Sequence, residues 1–159
     1  MKKIALIIQV VSIICLGTFT GAMIMLYTAI LSFWKKAEPL DFLDWYVEYA
    51  SGIMDATGPL VMSSLILPLV CFFLVIRIKQ SRIYWAISFL LSVIIMAITL
   101  SYFVDVNTSF ANQSIELNHV KQTLDTWGAN HLIRILLAFA SATFAGFGLV
   151  KYLSKNGIN

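Results

Sequence analysis

Read for its apolar runs, the chain divides into four long hydrophobic stretches separated by polar segments. They cover approximately Ile4–Phe33, Gly58–Ile76, Ile83–Val104 and Gly128–Val150. About 20 helical residues cross about 30 Å of hydrocarbon, so each stretch is long enough to span a bilayer. No run alternates as a closed barrel would, and lipid leaves helices as the only other spanning structure. The pattern predicts an all-α fold, a four-helix transmembrane bundle forming a single membrane domain over residues 1–159. Residues 40–55 follow a different rule. Phe42, Tyr46, Tyr49 and Ile53 fall on one stripe, and Asp41, Asp44, Glu48, Ser51 and Asp55 on the opposite one. With Pro39 suited to a helix start, an amphipathic extracytoplasmic helix is expected after helix 1. It would lie across the outer mouth of the bundle or extend the second span outward.

Composition agrees with a membrane protein. Hydrophobic residues make up 60% of the chain and charged residues 12%, against roughly 25% charged in a soluble domain. The placement of charge says more than the net +3. Lys2, Lys3, Arg77, Lys79, Arg82, Lys151 and Lys155 lie at the two ends or in the second loop, and no carboxylate joins them. All eight carboxylates lie in the first and third loops. Positive-inside counting puts both termini in the cytoplasm and the two longer loops outside. The expected partner is the lipid bilayer, with no nucleic acid. Cys15 and Cys71 sit inside apolar runs and form no disulfide or metal pattern.

Within the runs, the first continues past the length of a signal-peptide core, so an uncleaved helix is expected. Gly17-x-x-x-Gly21 would let a helix approach closely. Packing inside the monomer is the expected use, with a homo-oligomer as the alternative. Phe33-Trp34-Lys35-Lys36 and Tyr84-Trp85 read as interfacial anchors. Gly58-Pro59 should begin the second span, and Pro68 should kink it or free a carbonyl. Residues 116–124 could form a short helix in the third loop, and Asp125-Thr126 an N-cap for the fourth span.

The candidate chemistry sits at the start of that fourth span. Trp127, His131 and Arg134 fall within about 60° of one another on a helix. An imidazole is the usual general base near neutral pH, and a guanidinium stabilises an oxyanion without giving up its proton. Asp105, Asn107, Asn112 and Asn130 should gather nearby, because helices joined by one loop are usually neighbours. The set suits deprotonation and holding of a planar phenol or enol, with Trp127 stacking on the ring. Below Arg134 the face continues as Ala138, Ser141, Ala142 and Ala145, for tight helix packing or a narrow pocket. A structural role competes: Arg134 could snorkel or pair with Asp105 or Asp125, and His131 could bond a loop carbonyl. No phosphate loop, nucleophile elbow or nicotinamide fingerprint is present. The two histidines have no metal-site spacing, so no metal and no cofactor are expected. Transport has no support from a second intramembrane charge or an internal repeat.

At Trp127-x-x-x-His131-x-x-Arg134 the chain resembles the anthrone-oxygenase-like family of small four-helix membrane proteins, many of them bacterial and without assigned function. The likeness extends from Gly21 through Trp34, over Gly58-Pro59, to an Asn-containing end of the third helix. The family's Pro–Asn pair after that helix is missing, so Asn107 or Asn112 could match. The resemblance implies a protein of a bacterial cell membrane and a cofactor-independent oxygenase acting on an anthrone-like polycyclic phenol, a hydrophobic aromatic small molecule. His131 and Arg134 would be catalytic, and Trp127, Asn107, Asn112 and Asn130 would bind substrate. The alternative is a non-catalytic membrane protein that binds a lipid or partner, with the Trp/His/Arg cluster structural.

Overall fold

The computed structural model describes residues 2–157, and among them it is entirely helical, with no strand. Four helices are long and apolar enough to cross a membrane: α1 (Lys2–Lys36), α2 (Pro39–Leu74), α3 (Lys79–Ala111) and α4 (Leu117–Asn156). Each packs on its neighbours in the cyclic order α1–α2–α3–α4, with the longest interface between α3 and α4. Short connections make consecutive helices antiparallel. Cross-ties fix the ends: the Tyr152 hydroxyl donates to Lys2 O at 3.0 Å, and Gln113 Nε2 donates to Asp44 Oδ1 at 2.8 Å. Thus Lys2 and Asn156 share one end, and the 37–38 and 112–116 turns share the other, called the loop end below.

Several helices run further than the hydrophobic stretches suggest. Residues 40–55 form no separate helix, because α2 is continuous from Pro39 through Pro59 and Pro68 to Leu74. The amphipathic segment is the first half of α2. Its buried face is Phe42, Leu43, Tyr46 and Ala50, while Tyr49 points outward and is half exposed. The acidic stripe is exposed as its polarity requires. Gly58-Pro59 lies inside α2 and starts nothing. Likewise α4 begins at Leu117, ten residues before Trp127, which puts Asp125-Thr126 inside a helix and leaves them no capping role. Asp125 instead meets Lys35 at 2.6 Å. Both side chains are partly exposed, so Asp125→Asn should change stability by less than about 1 kcal/mol in a thermal melt.

Two anchors are core residues. Trp34 is buried against Phe42, Trp45, Tyr46 and Trp127. Trp85 is fully buried, and its indole N–H donates to Gln9 Oε1 at 3.0 Å. In lipid a buried polar group must find a partner within the protein, and here α3 and α4 supply one to each other. Ser88 and Ser141 hydroxyls lie 2.9 Å apart, and Ser81 Oγ donates to Gly148 O at 2.8 Å. The small face of α4 is therefore packed tightly on α3. A Cβ on Gly148 would stand 2.7 Å from Trp85 Nε1 and 2.8 Å from its Cδ1. We expect Gly148→Ala to lower stability by about 1–3 kcal/mol through overpacking, read as a fall in melting temperature in detergent. Gly17 and Gly21 behave oppositely. Both are exposed, and a Cβ added at either would meet no atom within 4 Å, so they do not mediate packing within the chain.

Candidate functional site

Toward the loop end, α1 and α3 each interrupt their regular winding with a π-helical turn, at Leu26–Ile30 and Thr99–Phe103. A π-turn adds a residue to one turn, and such bulges are frequent at functional sites. Each contributes an aromatic side chain to the same target. Tyr27 stacks on the His131 ring at 6.3 Å and 6°, and Phe103 meets it edge-on at 6.1 Å. Trp127, one turn back along α4, covers His131 in a parallel stack at 4.7 Å and 13°. The imidazole is 1% exposed.

Its hydrogen bonding fixes its chemistry. Nε2 lies 3.0 Å from Met23 O of α1. A carbonyl oxygen only accepts, so Nε2 carries the proton and donates. In the neutral ring Nδ1 then holds the free lone pair, and it is buried with no hydrogen-bond partner. A neutral imidazole with one nitrogen anchored and the other unpartnered can act as a general base toward a group that comes within reach of Nδ1.

Arg134 lies one turn further along α4, 8% exposed, with its guanidinium carbon 4.2 Å from the centre of the Phe103 ring. The cation–π contact offsets part of its desolvation. No carboxylate reaches it among the described residues, where the ion pairs are Lys35–Asp125 and His119–Glu116. Its Nε also lacks a partner. The bolt to Asp105 or Asp125 is thus absent. A nearly buried cation that meets no carboxylate among the described residues is a candidate site for an anion.

Asn107 joins them from α3. Its Oδ1 accepts from the Trp127 indole N–H at 3.0 Å. A partly open chamber of about 90 Å³ is lined by Asn107, Trp127, His131 and Arg134, with Trp34 and Tyr46 among its other walls. So the structure unites Asn107, Trp127, His131 and Arg134 and leaves out three expected members. Asn112 is exposed at the end of α3, Asp105 is exposed, and Asn130 donates to Thr126 O at 3.0 Å within its own helix. Of the two candidate asparagines, Asn107 lines the chamber. Trp127 is 3% exposed with one face taken by His131, so it orients the imidazole.

Tyr27, Trp34, Phe103 and the Met23 carbonyl were not legible as site groups. A π-turn leaves no local sequence signature, and Trp34 beside two lysines has the composition of an interfacial anchor. Among the described residues no three His, Cys, Asp or Glu side chains come together to hold a metal ion.

Four helices of membrane-spanning length and apolarity enclose, toward one end, a chamber lined by a histidine, an asparagine and an arginine that meets no carboxylate among the described residues, as in a small integral membrane protein. Residues 45–144 match the family described as Anthrone oxygenase, and the chain belongs to that family. The match includes Asn107, Trp127, His131 and Arg134, while the α1 contributors lie before it. No curated protein and no solved structure matches the chain.

Proposed function

We propose that this protein is a cofactor-independent oxygenase that converts an anthrone-like polycyclic phenol to its quinone at the membrane. The observation that carries the reading is the unpartnered Nδ1 of His131 one helical turn from a guanidinium that meets no carboxylate among the described residues. His131 takes a proton from the substrate's acidic CH2, and Arg134, with Asn107 beside it, holds the resulting enolate oxygen. The electron-rich enolate is itself the reductant for O2, which bonds to the ring carbon as a peroxide. One oxygen atom becomes the new ring carbonyl, and the other leaves as water with the two hydrogens of the CH2. Charge placement supports a loop end outside the cytoplasm, so the chamber lies in the outer leaflet of a cell membrane.

The test is incubation of the purified protein with anthrone under ¹⁸O2. One labelled atom per quinone, formed at a rate well above autoxidation, is the expected result. A rate equal to autoxidation overturns the assignment. The competing structural reading draws on the burial of His131 and its bond to α1. Under it, substitutions at His131 would cost stability and nothing else.

A further inference from the structure

The chamber is backed by buried side chains on its loop-end side. Between it and the loop end lies a plug of Trp34, Phe42, Tyr46, Phe110, Leu124 and Trp127, every one at most 3% exposed. A three-ring ligand must therefore arrive from the side, between helices. Two grooves adjoin the chamber. One, of about 360 Å³, runs between α1 and α2 and touches none of Asn107, His131 or Arg134. The other, of about 610 Å³, runs between α2 and α3, and Met54, Thr57, Val61, Asn107 and Arg134 line both it and the chamber.

We propose that the ligand of this site reaches it from the hydrocarbon layer through the α2–α3 groove, and that its ring system spans from that groove into the chamber, where His131 lies, with its anionic oxygen on Arg134. The inference rests on the functional reading above and adds where the ligand lies and how it arrives. Arg134 stands at the junction, its charge unmatched by any carboxylate among the described residues. Exposed Met54, Met62 and Val104 give the groove apolar walls, and Thr57, Thr99 and Thr108 also line it, each with its hydroxyl donating to a carbonyl of its own helix. Apolar walls with Asn107 and Arg134 as polar groups suit a fused-ring phenol, which partitions into membrane. A chamber of about 90 Å³ alone has too little room for three fused rings, and Trp127 has one face covered. The groove supplies that room.

Two glycines on α2 make the test. Gly58 lines the α2–α3 groove and Gly52 the α1–α2 groove, and both face open space where a side chain would start. Binding of 1,8-dihydroxyanthraquinone, a three-ring phenol stable to oxygen, is read in lipid nanodiscs by tryptophan quenching. Gly58→Phe should weaken binding more than tenfold, while Gly52→Phe binds as wild type does. Thr108→Phe, on the facing wall, should repeat the Gly58 result and stands in should Gly58→Phe fold poorly. Unchanged binding in Gly58→Phe and Thr108→Phe, or weakening in Gly52→Phe alone, overturns the route while leaving the site. Absence of binding by the wild type removes the site itself, and the route with it.

Discussion

His131→Gln should cut turnover of an anthrone by roughly 10²–10⁴ while leaving the protein folded. The substitution separates the two jobs of the imidazole. A glutamine amide can still donate to Met23 O, where Nε2 donates now at 3.0 Å, but it has no basic nitrogen to replace Nδ1. General-base catalysis is worth roughly 10²–10⁴ in rate, so quinone formation above autoxidation should fall by that factor. The melting temperature should move by only a few degrees, because the helix–helix hydrogen bond is kept. His131→Ala should lose the same activity and more stability, since it also strands a buried carbonyl and empties the stack between Tyr27 and Trp127. Unchanged turnover in both variants would end the mechanism. Equal loss of stability in both, with a proportional loss of activity, would favour the structural role.

Arg134→Met should produce the second large effect, with the opposite signature in stability. Methionine is of similar length and apolar, and it can keep a contact with the Phe103 ring. Arg134 has no counter-ion among the described residues, so the substitution breaks no ion pair and removes a nearly buried charge. The melting temperature should stay level or rise. Turnover should fall by about 10²–10³, the usual cost of removing a group that stabilises an oxyanion in a dry site. Affinity for a phenolate ligand should fall with it. A sharp loss of melting temperature in Arg134→Met would identify the residue as a structural bolt that the ion-pair geometry does not suggest.

The site was legible in one helix and obscure across helices. Trp127, His131 and Arg134 share an α4 face because helical periodicity is a local property, and that spacing is written in the sequence. Their neighbours are not local. Met23, Tyr27 and Trp34 lie about a hundred residues away and arrive by the packing of α1 on α4. Asn130 has the right residue type near the right place, yet its position on α4 turns it to its own backbone. Asn112 lies past the end of α3 and outside the chamber lining, which includes Asn107, and the sequence carries no sign of that difference.

Trp85 and Gln9 make the same point at the other end. An indole following a basic turn has the composition of a membrane anchor, and a lone glutamine in an apolar run carries no message alone. They are 76 positions apart and satisfy each other. The need for a partner was local, while its identity was tertiary.

The sequence by itself determined the four spanning helices, the separation of cations from carboxylates, and the face that carries the imidazole and guanidinium. These follow from hydrophobic length, charge and the 3.6-residue period, which act on neighbours along the chain. Only the tertiary structure decided that residues 40–55 continue into α2, that Arg134 meets an aromatic ring and no carboxylate, and which nitrogen of His131 is free. Each depends on which groups from distant helices come within a few ångströms, and in a bundle that is set by side-chain packing across the interfaces.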